Sequence, residues 1–123
     1  MIIGNVNAEY EATICLSVYG MDGQIYEQTA IIDTGFDGWL SLPASLINIL
    51  GLQWNGRGRA TLGDGSECLF NVYEATVIWG EETITIQIDE AESEPLVGML
   101  LMSGYRLIVE VRENCRYSLK NYE

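Results

Sequence analysis

A strict alternation of apolar and polar side chains is the feature that most constrains what this chain can fold into. Every second side chain of residues 10–18 is apolar or aromatic, and residues 83–88 repeat the pattern. Leu107, Val109 and Val111 are spaced to line one face of a last strand. A period of two places successive side chains on opposite faces of an extended backbone, so these segments are predicted to be half-buried β-strands. With roughly eight such strands and short helices expected near 43–50 and 99–103, we predict an all-β fold, a closed and mostly antiparallel barrel.

Length and composition agree with one such barrel. The chain has 123 residues, of which 48% are hydrophobic, and this predicts a single domain over 1–123 with a core at about 8–113. The sequence contains no apolar stretch long enough to span a bilayer, and its first residues lack the basic and apolar regions of a secretory signal. We therefore expect a cytoplasmic protein without a membrane partner.

Charge and residue types argue against several classes of function. Eighteen acidic residues against six basic ones give a net charge of −12, which repels nucleic acids and anionic membranes. The chain has no histidine, which removes Ser-His and Cys-His catalysis and most zinc sites. Cys15, Cys68 and Cys115 are odd in number and lack metal-type spacing. We therefore expect reduced thiols, no metal and no cofactor.

One carboxylate occupies a position that suits acid-base chemistry. Asp33 directly follows the apolar run at residues 30–32 and precedes Thr34 and Gly35. A buried strand would hold this carboxylate rigidly, and a glycine lets backbone or substrate approach closely beside it. In a chain without histidine, chemistry near neutral pH has to come from carboxylates, tyrosine, lysine or cysteine. Asp-Thr-Gly alone also suits an ordinary turn, in which Asp33 caps nearby backbone amides.

Three segments together resemble the retropepsin-like (clan AA) aspartic proteases, in particular their small bacterial and cyanobacterial members. Residues 30–38, Ala-Ile-Ile-Asp-Thr-Gly-Phe-Asp-Gly, are similar to the active-site strand and turn of that family. Residues 96–98, Leu-Val-Gly, are similar to its second signature, two apolar residues and a glycine. Residues 59–72, with glycines at the tip, are similar to its flap hairpin. The resemblance covers about 8–113 and implies a retropepsin-like barrel with a flap.

The resemblance also assigns roles to individual residues. It implies that Asp33 is catalytic and that Thr34 and Gly35 complete the active-site loop, with Thr34 locking two such loops together across a dimer axis. At the tip of the hairpin, Asp64 is expected to be a turn residue rather than a catalytic one. Structural support of the site is expected from Leu96, Val97 and Gly98, and substrate contacts from Gly63, Asp64 and Gly65.

Asp37 is the residue whose role the sequence leaves most open. In the family, this acid helps to bind the substrate backbone and often pairs with an arginine just after the second glycine signature. Met99 stands at that position here. Asp37 is therefore expected either to pair with another cation, such as Arg106 or Arg112, or to remain solvated.

The implied activity requires two carboxylates, one to take a proton from water and one to protonate the carbonyl oxygen. The chain contains one Asp-Thr-Gly, so the resemblance implies a homodimer in which two copies of Asp33 form the catalytic pair. The predicted function is an aspartic endopeptidase that acts on peptides or proteins without a metal or cofactor. The alternative is a retropepsin-fold module for dimerisation or peptide binding with little or no turnover.

Two further charged features have simpler interpretations. The acidic residues at 89–94 lack the glycine and spacing of a calcium-binding loop, so a solvated loop is expected there. Arg57 and Arg59 are too few for a nucleic-acid-binding patch.

Overall fold

The computed structural model describes residues 1–112 and 116–121, which form a mostly β structure with one short helix. The helix α1 spans Ala44–Leu50 and follows the fourth strand. The strands are β1 Ile2–Val6, β2 Ala12–Tyr19, β3 Ile25–Ile32, β4 Leu40–Leu42, β5 Gln53–Thr61, β6 Glu67–Trp79, β7 Glu82–Glu90, β8 Leu96–Val97, β9 Tyr105–Ile108 and β10 Arg116–Asn121.

The strands hydrogen-bond into one sheet in the order β5-β6-β7-β4-β8-β3-β2-β1-β10-β9. Most neighbouring strands are antiparallel, whereas β8 is parallel to β3 and β4 is parallel to β7. Ser17 and Val18 of β2 also pair with Ile78 and Val77 of β6. The sheet therefore bends back on itself so that a strand from its middle meets a strand near one end.

The core confirms the period-two interpretation. Alternate residues of β2 and β7 are buried, whereas the residues between them are mostly more exposed. Each large aliphatic side chain that is fully buried stabilises the fold by roughly 1.5–3 kcal/mol relative to an exposed one. The largest of these side chains are Leu16, Leu40, Leu42, Ile47, Leu50, Ile88, Val6, Val18, Val77 and Val97.

The helix predicted near 43–50 is confirmed as α1. Pro43 precedes it in an extended conformation, and Gly51 ends it in the left-handed conformation at φ 65°, which glycine adopts without steric cost. Ile47 and Leu50 are its buried residues and join the core.

The second predicted helix, near 99–103, is wrong, since residues 99–104 form turns. The amides of Ser103 and Tyr105 donate to the carbonyl oxygens of Leu100 and Met102, three residues back along the chain. Gly104 ends the segment with φ 86°. The segment is confined between β8, which ends at Val97, and β9, which begins at Tyr105, and these bonds reach three residues back rather than the four of an α-helix.

Two strand boundaries also differ from the predictions. β7 continues to Glu90, so Asp89 and Glu90 are strand residues and not part of a solvated loop, because they pair with Ser41 and Leu42 of β4. The last predicted strand, 107–111, ends earlier, since β9 stops at Ile108. No helix among the described residues is long and apolar enough to span a bilayer.

Candidate active site

The Asp33 loop is built around β8, which lies between β3 and β4. Ile32 of β3 pairs with Val97 in parallel, and Leu40 of β4 pairs with Val97 in the antiparallel sense. The amide of Asp33 donates to the carbonyl oxygen of Val97 at 2.9 Å. Leu96 and Val97 thus pair with both strands that flank the loop, and their role in supporting an active site remains a prediction.

The segment after β8 fixes the remainder of the loop through its backbone. The amide of Gly98 donates to the carbonyl oxygen of Trp39 at 3.0 Å, and the amide of Met99 donates to that of Phe36 at 2.8 Å. The amide of Leu100 donates to the carbonyl oxygen of Gly38 at 3.1 Å. Two segments about sixty residues apart in sequence therefore form a single hydrogen-bonded unit.

The carboxylate of Asp33 is oriented by its own loop. Its Oδ1 accepts a hydrogen bond from the amide of Gly35 at 2.9 Å, and the carbonyl oxygen of Asp33 accepts one from the amide of Phe36 at 3.2 Å. Asp33 is half-buried, whereas Thr34 and Gly35 are exposed. The arrangement presents a fixed carboxylate that solvent or a substrate can reach, as general acid-base chemistry requires.

Asp37 lies on the same loop and is exposed. Arg112, one of the two cations considered for it, pairs with Glu110 at 2.8 Å. The negative charge of Asp37 contributes to raising the pKa of Asp89. Asp37 therefore adds to an acidic region beside the loop, and its contact with a substrate remains a prediction.

The hairpin predicted at 59–72 is formed by β5 and β6, with its turn at 62–66. The amide of Leu62 donates to the carbonyl oxygen of Ser66 at 2.7 Å. Asp64 Oδ1 accepts from the amide and the hydroxyl of Ser66, and these hydrogen bonds lower the pKa of Asp64. Gly63, Asp64 and Gly65 are exposed, and the carboxylate of Asp64 stabilises the turn. Whether these residues contact a substrate remains a prediction.

A cavity of about 630 Å³ lies between this hairpin and the loop that carries Asp33. Its apolar lining comes from Phe36 of the loop, Leu96 of β8, and Leu69 and Phe70 of β6. Its polar lining consists mainly of Ser41, Arg57, Asn71, Asp89, Glu90 and Glu92. The volume and the largely apolar walls are those of a typical ligand-binding cleft.

Asp89 is an acid of this cavity that approaches the loop. A β-carbon on Gly38 would be 3.2 Å from Asp89 Oδ2. Burial raises the pKa of Asp89 above its usual range and the negative charge of Asp37 raises it further, whereas a hydrogen bond from Gln87 lowers it. Desolvation is the dominant cause, because a carboxylate removed from water favours its neutral form.

The sequence and the fold of this chain can be compared with those of known proteins. No family model matches the chain, and no curated protein matches it in sequence. Among solved structures, the chain is similar to a retropepsin-like aspartic protease from Rickettsia conorii, with a TM-score of 0.62 and 14% identity over 99% of this chain and 91% of that one. The fold is retropepsin-like. At this level of identity the likeness concerns the fold alone.

Within this retropepsin-like fold, the sequence interpretation missed the residues that line the cavity. Asp89, Glu90 and Glu92 were expected in a solvated loop. The residues around Ser41 indicate only a short apolar strand and no site. A signal was present, since an acid directly after the alternating segment 83–88 lies on the strand face opposite the core. The sequence could not indicate what covers that face.

The acidic side chains and the thiols of the described residues are the remaining groups that could bind a metal or react. No group of three or more acidic or cysteine side chains there could hold a metal ion. Cys15 and Cys68 are exposed free thiols, and Cys115 lies outside the described residues.

Proposed function

We propose that this protein is an aspartic endopeptidase that acts as a homodimer, with one Asp33 from each subunit. The observation that carries the proposal is the setting of Asp33, a half-buried carboxylate fixed by Gly35 at the end of β3 and bonded through its amide to Val97 of β8. The retropepsin-like fold supports the same reading.

The dimer follows from the number of carboxylates. Each chain has one Asp-Thr-Gly, so a single subunit supplies half of the catalytic pair. Thr34 is exposed beside Asp33, where its hydroxyl can bond to a second copy. Met99 and Leu100, whose amides bond to the loop, are 50% and 46% exposed and offer apolar surface next to it. A symmetric contact through these residues would bring the two Asp33 side chains together.

In such a pair the two carboxyls share one proton, because two adjacent carboxylates cannot both be ionised without a large repulsion. The ionised carboxylate takes a proton from a water molecule as that water attacks the peptide carbonyl. The protonated carboxyl gives its proton to the carbonyl oxygen. The carboxyl that took the proton from water then gives it to the amide nitrogen, and the other carboxylate takes a proton from a hydroxyl of the tetrahedral intermediate. The C–N bond breaks to release the amine and the new carboxylic acid, and the pair again shares one proton.

The β5–β6 hairpin is proposed as the flap of this enzyme, and the β2–β6 pairing as the contact that closes the barrel. The hairpin forms one wall of the cavity through Leu69 and Phe70, and its tip at 62–66 is exposed. A hinged hairpin of this kind would cover a bound peptide and exclude water during catalysis.

The test is cleavage of a mixed peptide library by the full chain and by the variant Asp33→Asn. Asparagine keeps the Oδ1 acceptor for Gly35 but cannot act as a base, so we expect cleavage to fall at least about 100-fold. Asp22→Asn, an equivalent change in the exposed turn between β2 and β3, is the matched control and should retain activity. A statine-type transition-state mimic should inhibit the unmodified protein. If Asp33→Asn cleaves as fast as the parent chain, Asp33 is not the catalytic group and the mechanism is wrong. If the parent chain binds peptides but cleaves none, the peptide-binding module replaces the peptidase.

A further inference from the structure

The cavity beside the Asp33 loop combines apolar walls with several carboxylates. It adjoins the loop directly, since Phe36 lies three residues after Asp33 and Leu96 pairs with Ile31 just before it. We infer that this cavity binds a lysine or arginine side chain of the peptide substrate, and that Asp89 is the main determinant of this preference. The inference rests on the proposed peptidase function.

The charges of the lining favour a cationic guest. The charged residues of the lining are three acids, Asp89, Glu90 and Glu92, and one base, Arg57. Arg57 is exposed on β5, and the described residues contain no ion pair that joins it to any of these acids. An acidic guest would be repelled by the three carboxylates, whereas a cation would be attracted by them.

The carboxylates also retain acceptor capacity. The contacts seen in the described part of the chain are one hydrogen bond each. Gln87 Nε2 donates to Asp89 at 3.2 Å, the hydroxyl of Tyr73 donates to Glu90 at 3.3 Å, and the amide of Ala44 donates to Glu92 at 3.3 Å. An ionised carboxylate accepts several hydrogen bonds, so each has room for a donor from a guest.

Ser41 gives an independent indication that a polar guest belongs here. Ser41 is 3% exposed and lines the cavity, yet its hydroxyl has no hydrogen-bond partner among the described residues. A buried hydroxyl without a partner is costly, and a guest with a polar head would satisfy it. Ser41 pairs with Asp89 across β4 and β7, so the hydroxyl and the acid belong to the same part of the wall.

The apolar part of the lining suits the rest of such a side chain. Phe36, Leu69, Phe70 and Leu96 can contact the methylene groups of lysine or arginine, while the charged end reaches the carboxylates. A purely apolar side chain would contact the same walls but would leave Asp89 and Ser41 without a new partner. The cavity therefore distinguishes lysine from norleucine, which has a similar stem but no ammonium group.

The experiment compares sets of three peptides that are identical except at one position, which carries lysine, norleucine or glutamate. Each set tests a different position around the cleaved bond. We expect kcat/KM at one position to be about tenfold or more higher for lysine than for norleucine, and lowest for glutamate. Asp89→Asn should reduce the lysine-to-norleucine ratio to below about threefold. Glu94→Gln removes the same charge from an exposed position outside the cavity and should leave the ratio unchanged.

Two additional measurements separate this inference from the proposed function. Thermal melting shows whether Asp89→Asn still folds. If it does not, Glu92→Gln is the second variant, and it should also lower the lysine-to-norleucine ratio of kcat/KM. Fluorescence anisotropy with the same labelled peptides and the Asp33→Asn protein measures binding without cleavage. Lysine-selective binding without any turnover by the parent chain would support the inference and refute the peptidase function. Cleavage with equal rates for lysine and norleucine peptides would overturn the inference alone, and neither binding nor cleavage would overturn both.

Discussion

Gly98 packs against Gly38 so closely that a β-carbon on Gly98 would overlap the carbonyl oxygen of Gly38. The same carbonyl oxygen accepts the hydrogen bond from the amide of Leu100, so it cannot move away without loss of that bond. The contact joins the second glycine signature to the loop that carries Asp33. The geometry of the candidate active site therefore depends on the absence of a side chain at position 98.

A first prediction concerns this contact. Gly98→Ala should destabilise the protein by about 3 kcal/mol or more, because backbone on both sides would have to shift. Gly63→Ala is the matched control, since a β-carbon at that position meets no atom within 4 Å, and it should change the free energy of unfolding by no more than about 0.5 kcal/mol. Urea denaturation of both variants measures the difference. Equal stabilities would contradict the close packing.

A second prediction uses the raised pKa of Asp89. Because burial raises the pKa of Asp89, the folded chain holds this proton to a higher pH than the unfolded chain does, so the stability contributed by this residue falls as pH rises above its ordinary pKa of 3.8. Asp89→Asn removes this effect while its Oδ1 can still accept from Gln87. The variant should therefore melt at a higher temperature than the parent chain near neutral pH. Well below pH 3.8 the two proteins should melt at the same temperature. Melting curves measured from that pH to neutral pH test this, and a difference that does not change with pH would contradict the role of the Asp89 pKa.

A third prediction concerns the proposed dimer. Each copy carries a net charge of −12, so association should strengthen when salt rises from about 0.02 M to about 0.15 M and shortens the range of repulsion. Leu100→Glu should weaken the dimer, because it adds another charge to the apolar surface next to the loop. Ile49→Glu adds the same charge at a 65% exposed position on α1 and is the control, so it should leave the strength of the dimer unchanged. Sedimentation equilibrium that finds monomer under all of these conditions would exclude the dimer.

A fourth prediction concerns the hairpin. In the free protein, amide hydrogen exchange should be fast at residues 62–66, because the tip is exposed and is held mainly by hydrogen bonds within its own turn. A bound statine-type peptide mimic should slow exchange at these residues if the hairpin closes over it. Equal exchange with and without the mimic would argue against a gating role.

A fifth prediction concerns the pH dependence of cleavage. The proposed pair acts only while it holds one proton, so activity should be highest on the acid side and should fade as the last proton is lost. The pH profile of kcat/KM for a peptide without titratable side chains measures this directly. A rate that rises steadily towards alkaline pH would require a different catalytic group.

Several features of the site could be predicted from local sequence alone. The alternation in residues 10–18 and 83–88 specified strands, because a period of two suits only an extended backbone with one buried face. The apolar run before Asp33 placed that carboxylate at the end of a strand, where the structure has it. Pro43 and Gly51 marked the two ends of α1. Proline fixes its own φ angle at a value that suits the start of a helix, and glycine can adopt the positive φ angle that ends one.

Other features were decided only when distant segments met. The turns at 99–104 replace a helix, because this segment has to connect β8, which pairs beside the Asp33 loop, to β9, which begins at Tyr105. Asp89 became part of a strand and of a cavity wall, because β7 pairs with β4 and the β5–β6 hairpin lies on the other side of the cavity. No local pattern around residue 89 encodes these neighbours. The sequence by itself determined which backbone segments are extended and which carboxylate ends a strand, since those depend on adjacent residues. Only the tertiary structure decided which charges share a desolvated cavity, since that depends on contacts between residues far apart in the chain.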